Sequence, residues 1–326
     1  TQSRSSAASD VYKRQLSSSS FHSKRGEVAA IGEKPQIAIS NPSASLRMAF
    51  GELILNLISV PIADISKVVL SANWMAASGE NDNNYDLIEG VKALSEICCD
   101  LGVAIPVGKD SMSMRTDWTE NHKDYSVVSP LSAILTGLAK VPDVTAAITT
   151  ELLSNASQSL YCLRLNNKCR LGCSILSFVK NYDNSETPDL DNTSQFLQFF
   201  EVIQKFIKCG VITSLHDISD GGLITSLCEL SFTNKVGLNI NFSNFKDNNL
   251  DELFSEELGI VVQLSDINKE FFAELEAIEC VIFECAQINK SKHIKIFDKK
   301  NKLLFDKKIY DLEKIWSENS LAVSYT

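Results

Sequence analysis

The chain has 326 residues, enough for two ordinary domains with hydrophobic cores. Its formal net charge of −10 argues against a nucleic-acid-binding surface, because such a surface needs clustered Lys and Arg. No stretch approaches the roughly 20 uninterrupted apolar residues that a membrane-spanning helix needs. The nine cysteines include no C-x-x-C pair, which predicts reduced thiols rather than a disulfide framework or a zinc site. These features predict a cytoplasmic protein with no nucleic-acid or membrane partner.

The two ends of the chain look foreign to the rest. Residues 10–15 can be encoded by GATGTGTATAAGAGACAG, and residues 323–326 by GTCTCTTATACA. The second string is the reverse complement of an internal part of the first, and both resemble a transposon adapter used in sequencing libraries. We therefore predict that residues 1–15 and 321–326 are adapter-derived tails, and that the native sequence runs from near Leu16 to near Ser320.

Hydrophobic periodicity and turn residues predict the secondary-structure elements between these ends. In chain order they are a strand at 36–40, a helix at 44–59 with Ser43 as its N-cap, a strand at 67–72, a helix at 85–101 and strands at 103–107 and 132–141. After a polar gap near 149–159 come a strand at 160–165, a helix at 193–209, a strand leading to His216, a helix at 222–232, strands at 237–242 and 259–264, and a hairpin near 294–305. Strands and helices alternate irregularly, so we predict an α/β (α+β) protein of two domains.

The stretch from Arg47 to Asn56 predicts a helix with two oxygen donors on one face. Glu52 and Asn56 are four residues apart, so their side chains stack on a helix. Oxygen donors that include a carboxylate suit Mg²⁺, a hard cation that proteins hold with few ligands of their own. From the spacing alone, a solvated polar stripe on an otherwise apolar helix is an open alternative.

The segment from Ser214 to Leu223 predicts a strand that enters an acidic turn and then a helix. Asp217, Ser219 and Asp220 are followed by a glycine pair. Such a turn exposes backbone N–H groups at a helix N-terminus, where anions bind. Two aspartates would repel a phosphate unless a divalent cation lay between them. The alternative is a helix capped by Ser219 or Asp220, with the glycines forming the turn.

The segment from Ile105 to Met114 predicts a strand that ends in a glycine turn with a lysine and two serines. Lys109 is a candidate contact for a phosphate, and the Ser111 hydroxyl is a candidate donor to it. The segment is not a Walker A loop, because the first glycine of that motif is absent. A surface turn with an Asp–Lys pair is the alternative.

Together these stretches resemble the large, single-chain formylglycinamide ribonucleotide amidotransferase family. The matching strings are Gly26–Glu33, Arg47–Glu52, Leu70–Met75, Ile105–Met114, His216–Leu223 and Phe254–Gly259. The resemblance spans roughly Leu16 to Ser320, and the ten-residue string that begins at Ile105 is highly specific.

The resemblance implies a unit similar to aminoimidazole ribonucleotide synthetase. Residues 16–148 would form an N-terminal domain that contributes strands to a shared barrel, and residues 149–320 a C-terminal α/β domain. The chain would correspond to the second of two fused copies. The first copy and a glutaminase domain would be missing parts of the same polypeptide, and the apolar surface that they leave uncovered predicts self-association.

The resemblance also assigns residues to a site that binds Mg²⁺ and ATP or ADP. The implied magnesium ligands are Glu52, Asn56 and Asp217, and the implied nucleotide contact is Ser219. A further aspartate ligand of the family would lie about where Lys13 stands. Lys109 and Ser111 are candidate anion contacts for substrate or nucleotide, and no catalytic residue is assigned.

The implied activity is that of an ATP-dependent C–N ligase with glutamine as amide donor, in de novo purine biosynthesis. ATP phosphorylates the amide oxygen of formylglycinamide ribonucleotide, ammonia attacks the imidate carbon, and phosphate leaves. We expect this piece to be inactive alone. Because the family's synthetase holds one catalytic and one retained nucleotide, a non-catalytic Mg-nucleotide scaffold module is the second hypothesis. A stand-alone aminoimidazole ribonucleotide synthetase is the third, which the Ile105 string and the ending near Trp316 disfavour.

Overall fold

A computed structural model describes residues 14–80, 82–155, 157–181, 186–245 and 249–323. In this part of the chain the strands are β1 Arg14–Ser18, β2 Gly26–Gly32, β3 Val69–Met75, β4 Ala104–Ser111, β5 Arg115–Glu120, β6 Lys123–Val128, β7 Ser132–Val141, β8 Ser159–Arg164, β9 Ile212–Asp217, β10 Gly237–Asn241, β11 Gly259–Leu264, β12 Val281–Asn289, β13 His293–Phe297 and β14 Leu303–Lys308. The helices are α1 Pro35–Ala38, α2 Pro42–Leu57, α3 Asn83–Leu101, α4 Ile175–Lys180, α5 Thr193–Lys208, α6 Gly222–Asn234, α7 Asn249–Phe254, α8 Lys269–Ala277 and α9 Ile309–Val323.

The first sheet has the strand order β1-β2-β7-β3-β4, in which only β3 and β4 are parallel. Helix α2 packs on β2 and β7, and α3 packs on α2. Helix α2 begins where the Asn41 side chain accepts a hydrogen bond from the Ala44 N–H and Pro42 occupies the first turn. Because almost every residue of α2 is buried, this helix forms the centre of the molecule rather than its surface.

The second sheet has the strand order β14-β13-β10-β12-β8-β11-β9. Alternate residues of its central strands enter two different hydrophobic clusters. One cluster includes side chains of α5 and α8 on one face, and the other includes side chains of α6 and α9 on the opposite face. The sheet is therefore covered on both sides.

The two sheets share a single hydrophobic core through α2 and α5. Phe50 on α2 and Phe196 on α5 meet edge to face, with ring centroids 6.4 Å apart. The buried Gln204 amide on α5 donates to the Ile58 and Val60 carbonyls that follow α2. A bidentate ion pair joins Arg47 to Asp189, so apolar packing and polar contacts both hold the halves together.

The outer face of the first sheet carries exposed apolar side chains. Val69 and Leu138 are register partners on β3 and β7, and their exposed fractions are 42% and 51%. Ile31 on β2 and Val107 on β4 are exposed as well. Apolar groups side by side on an open sheet are typical of a surface that another polypeptide covers.

The two-domain α/β class predicted from the sequence is confirmed. The predicted strand at 36–40 is wrong, because Pro35 starts the short helix α1 and the Asn41 N–H closes a helical turn on the Ile37 carbonyl. The predicted Ser43 cap is also wrong, since Asn41 caps α2. The domain limits stay predictions, and most of the predicted tails, with Lys13, lies outside the described residues. No helix in the described ranges is long and apolar enough to cross a membrane.

Candidate functional site

Two buried polar side chains of α2 face the end of β2 and the turn after β9. Glu52 Oε2 accepts a hydrogen bond of 2.9 Å from the Glu33 N–H, and Glu52 Oε1 accepts one of 2.6 Å from the Ser219 hydroxyl. The Asn56 amide donates to the Ile31 carbonyl at 2.9 Å. A buried polar group needs such partners, because without them its desolvation is costly. The alternative of a solvated polar stripe is therefore wrong, because both side chains are buried in the interior.

Strand β9 brings Asp217 and Ser219 to the same place. Their exposed fractions are 4% and 6%, and the Ser219 hydroxyl bond to Glu52 joins the turn after β9 to α2. The structure thus joins Glu52 directly to Ser219, with Asn56 one turn further along α2 and Asp217 two residues before Ser219. We call Glu52, Asn56, Asp217 and Ser219 the α2–β9 site.

The turn before α6 needs its two glycines. Gly221 and Gly222 have φ angles of +83° and +73°, which residues other than glycine rarely adopt. A Cβ on Gly222 would lie 2.6 Å from the backbone carbon of Phe254. The alternative of capping by Ser219 or Asp220 is wrong, because Gly221 is the N-cap residue of α6.

A glutamate supplies the hydrogen bonds that the cap residue lacks. Glu256 Oε1 accepts from the Gly221 N–H at the start of α6 and from the Ile175 N–H at the start of α4, each at 2.9 Å. The Gly222 N–H is bonded to the Ser219 carbonyl. Both glycine N–H groups are therefore engaged within the protein.

Lys34 is a site residue that the sequence did not reveal. Its side chain is buried, and Nζ donates to Asp220 Oδ1 at 2.5 Å and to Ser219 Oγ at 3.3 Å, with Glu52 Oε1 at 3.7 Å. Burial lowers the pKa of Lys34, but the carboxylates of Glu52 and Asp220 outweigh burial and raise the pKa above its usual value. The group is an ammonium at neutral pH. A lysine between a Gly-Glu pair and a proline gives no sequence signal of this burial.

The same charges act on neighbouring carboxyl groups. Burial raises the pKa of Glu33, and the carboxylate of Glu52 raises it further. Burial also raises the pKa of Glu256, while the Lys34 ammonium opposes that shift. The cluster therefore combines several carboxyl groups with few cations, which favours binding of an additional cation.

A second set of contacts joins the site to the C-terminal helix. His216 Nε2 lies 3.0 Å from Glu229 Oε2, and the Trp316 indole N–H donates to Glu229 Oε1 at 2.9 Å. Burial lowers the pKa of His216, but the hydrogen bond to Glu229 and the charge of Asp217 raise it above its usual value. The orientation of β9 at Asp217 is thus fixed from α6 and α9.

Arg14 adds a cation beside the α2–β9 site. Its Nη1 donates to Ser59 Oγ at 2.8 Å and to the Asn56 carbonyl at 3.5 Å. Burial lowers the pKa of Arg14, and the carboxylate of Asp217 opposes that shift. The prediction that a further family ligand falls near Lys13 lies outside the described residues.

Lys109 and Ser111 lie elsewhere. Strand β4 is the edge of the first sheet opposite β1, and the Lys109 ammonium donates to the Ser111 hydroxyl. Lys109 also lines an open surface depression of about 290 Å³ with Trp74 and Leu87. Among the described contacts none joins this pair to Glu52 or Ser219. The structure therefore separates the predicted contacts into a buried site and an exposed strand edge.

The donor set of the α2–β9 site fits a hard divalent cation. Glu52, Asn56 and Asp217 offer carboxylate and amide oxygens, the ligand types that Mg²⁺ prefers. Within the described ranges no group of three or more His, Cys, Asp or Glu side chains could hold a metal ion.

Two family models match the chain in succession. The FGAR-AT PurM_N-like domain matches residues 9–140, and the AIR synthase related protein, C-terminal domain, matches residues 166–299. The chain therefore contains two successive domains that are similar to these two models. It is homologous to phosphoribosylformylglycinamidine synthase of Schizosaccharomyces pombe, with 39% identity over 304 residues. The matched region is 90% of this chain but 23% of that relative, so the chain spans about a quarter of the relative's length.

Solved structures show the same fold. Thermotoga maritima PurL complexed with FGAR superposes with a TM-score of 0.69 and 11% identity, over 89% of this chain and 46% of PurL. The same protein complexed with ATP gives a TM-score of 0.66 and 11% identity, over 88% of this chain and 44% of PurL. At this identity the likeness establishes the fold alone.

Proposed function

We propose that the chain is the second synthetase-like part of an ATP-dependent ligase that converts formylglycinamide ribonucleotide and glutamine-derived ammonia to formylglycinamidine ribonucleotide. The observation that carries the proposal is the α2–β9 site, in which donors from two distant segments meet through the 2.6 Å bond between Ser219 and Glu52. The homology to the yeast synthase supports the reaction, and the PurL complexes with ATP and FGAR support the ligand classes.

Within this proposal Glu52, Asn56 and Asp217 hold Mg²⁺, and Ser219 contacts the nucleotide. A bound magnesium ion would position the phosphates and neutralise their charge. The chain's own residues have other tasks. Lys34 holds Ser219 and Asp220 in place, and its ammonium adds a positive charge near the phosphates. Glu256 occupies the start of α6 and so keeps a phosphate away from that helix end.

Lys109 and Ser111 are proposed as anion contacts at a separate position. Both lie on the edge strand β4, where the parent enzyme's other segments would complete a substrate site. We assign the exposed outer face of the first sheet, with Val69 and Leu138, to the missing first synthetase half. The glutaminase domain would supply ammonia, and the whole enzyme would act in the cytoplasm.

A non-catalytic role is the second candidate, and burial favours it. The four residues of the α2–β9 site are at most 8% exposed, so a nucleotide-metal complex there would exchange slowly with solvent. Such a ligand would stabilise the fold rather than react. The two candidates share the site and differ in whether its nucleotide turns over.

The test mixes the chain with yeast synthase that lacks the matching segment. ATP consumption that depends on formylglycinamide ribonucleotide and ammonia is measured with the wild-type chain and with Asp217→Asn. Restored activity that Asp217→Asn abolishes supports a catalytic site. Restored activity that survives in Asp217→Asn, with a lowered melting temperature, supports the scaffold. A stable complex without any activity contradicts the assignment to the ligase.

A further inference from the structure

Helix α9 is joined to Asp217 by a continuous series of hydrogen bonds. The Trp316 indole N–H donates to Glu229 Oε1 at 2.9 Å, and Glu229 Oε2 lies 3.0 Å from His216 Nε2. His216 Nδ1 donates to the Asp217 carbonyl at 2.7 Å, since a carbonyl oxygen can only accept. Each of these distances is within the range of a hydrogen bond. We call Trp316, Glu229 and His216 the α9 relay.

The α9 relay lies mostly in the interior. The side chains of His216 and Glu229 are 12% and 15% exposed. The Trp316 ring packs on the ring of Phe232 with centroids 5.7 Å apart, which fixes the position of the indole N–H. Hydrogen bonds in such surroundings are stronger than in water, and neighbouring bonds in a series polarise one another. A change at α9 should therefore reach the end of β9.

The relay ends on both the main chain and the carboxylate of Asp217. The Asp217 carbonyl accepts from His216 Nδ1 and, at 2.8 Å, from the Ser226 hydroxyl on α6. The same His216 nitrogen lies 3.4 Å from Asp217 Oδ1. Asp217 is the last residue of β9, opposite Ile260 on β11. Contacts from α6 and the relay therefore hold Asp217 at the point where the strand stops.

We propose that the α9 relay positions the Asp217 carboxylate for a divalent cation, so that Trp316 on α9 is a positioning residue for the α2–β9 site. Asp217 is one of the three magnesium donors of the proposed function, on which this inference rests. The groups behind a metal-binding carboxylate fix its orientation, and loss of such a group lowers metal affinity roughly tenfold or more. By thermodynamic reciprocity, a cation bound at Asp217 acts back on Trp316.

The first test is a titration of the full chain with Mn²⁺, in which electron paramagnetic resonance measures the free ion. Trp316→Phe keeps the net charge and a ring against Phe232 but removes the indole N–H. It should bind Mn²⁺ about threefold more weakly than the wild type. Glu229→Gln replaces the carboxylate that faces His216 and should bind Mn²⁺ roughly tenfold more weakly.

Glu313→Gln is the matched control. Glu313 lies on α9 and pairs with Lys235 at the end of α6, so this variant removes one negative charge and one contact between the same two helices. Because Glu313 lies outside the relay, the variant should bind Mn²⁺ like the wild type, whatever its free energy of unfolding. A loss of affinity equal to that of Trp316→Phe would show that general loosening of α9 is the cause, and it would overturn the proposal.

Nuclear magnetic resonance of the indole N–H groups measures the coupling in the opposite direction. The chain has three tryptophans, and Trp316→Phe identifies the Trp316 signal by its absence. Mg²⁺ should shift this signal in the wild type but not in Asp217→Asn. The signals of Trp74 on β3 and Trp118 on β5 should stay in place. A Trp316 signal that Mg²⁺ leaves unchanged in the wild type overturns the proposal.

These outcomes separate the relay from the proposed function. If the wild type binds Mn²⁺ and Trp316→Phe binds it equally well, the relay is overturned and the magnesium set stands. If the wild type binds no Mn²⁺, both are overturned. Melting temperatures show whether each variant is folded. If Glu229→Gln does not fold, Trp316→Phe and the indole signal decide.

Discussion

The α2–β9 site and the edge strand β4 are the two regions that the sequence marked for function, and they differ in almost every physical respect. The α2–β9 site is buried, and its donors come from separate segments that hydrogen bonds join. Strand β4 is exposed, and its Lys109 bonds a neighbour two residues away. The most distinctive string in the sequence thus lies in the less constrained region. A distinctive sequence string such as the one on β4 indicates a family. Burial and hydrogen bonds between distant segments, as at the α2–β9 site, indicate a candidate site formed within this chain.

The difference has a structural reason. The candidate site between α2 and β9 lies within the packed interior, because the described residues around it belong to elements of one chain. An edge strand is open on one side, where another polypeptide can pair with it. Substitutions in the two regions should therefore change the free energy of unfolding by very different amounts.

Removal of the Lys34 ammonium should have the largest effect. Lys34→Met leaves the buried Glu52 carboxylate without its nearby cation, and loss of one partner of a buried ion pair costs about 3 kcal/mol or more. The measurement is the free energy of unfolding in urea. Lys24→Met is the control, since the Lys24 side chain is 72% exposed and should change stability by less than about 0.5 kcal/mol. Equal effects of the two variants would contradict the structural account of the site.

Removal of the Glu256 carboxylate should have the next largest effect. Glu256→Ala leaves the N–H groups of Gly221 and Ile175 without their acceptor, which should cost about 2 kcal/mol. Hydrogen exchange at the two amides gives a direct reading, and both should lose protection together. The control is Glu276→Ala on the exposed side of α8. Faster exchange at one amide alone would show that Glu256 does not bridge the two helices.

The contact between His216 and Glu229 should make stability depend on pH. The folded protein raises the pKa of His216 above its ordinary value of 6.5, so the stabilisation is complete below that pH. It is lost as the pH rises through the folded pKa. Glu229→Gln should reduce this pH dependence, because the His216 imidazolium then loses its hydrogen-bonded carboxylate. Urea midpoints between pH 5 and pH 9 test this, and the exposed Glu201→Gln should leave the profile unchanged. An unaltered profile in Glu229→Gln would sink the idea.

Substitution on β4 should have the smallest effect. Lys109→Ala removes an exposed ammonium whose described bond goes to Ser111, so the free energy of unfolding should change by less than about 0.5 kcal/mol. Thermal unfolding checks this against the wild type. A loss of stability comparable to that of Lys34→Met would show that Lys109 contributes to the folded structure as strongly as a buried residue of the α2–β9 site.

Much of the fold follows from periodicity in the sequence. The strands β7 and β11 were predicted at their observed limits, because alternating or continuous apolar residues end at clear breaks. The strand predicted at 36–40 failed because a five-residue segment with a short apolar run is too short to distinguish a strand from a short helix. The hairpin of β5 and β6 gave no signal, since its residues are exposed on both faces and show no hydrophobic pattern.

The candidate site was predictable only in part. The spacing of Glu52 and Asn56 and the turn at Asp217 were visible as patterns. The hydrogen bond that joins the two segments runs from Ser219 to Glu52 and spans 167 positions along the chain. Lys34, Glu256 and Arg14 were missed as site residues. Each is an ordinary charged residue in sequence, and each acquires its role from burial beside groups that are distant along the chain.

The most direct test of the central claim is thermal unfolding with and without ADP in three proteins: the wild type, Ser219→Ala and Lys109→Ala. At 100 times its dissociation constant ADP should stabilise the native state by about 2.7 kcal/mol, a rise of about 4 °C in the melting temperature. The account predicts this rise in the wild type and in Lys109→Ala, and its loss in Ser219→Ala. A rise that survives in Ser219→Ala but disappears in Lys109→Ala would place the nucleotide at the edge strand and contradict the account.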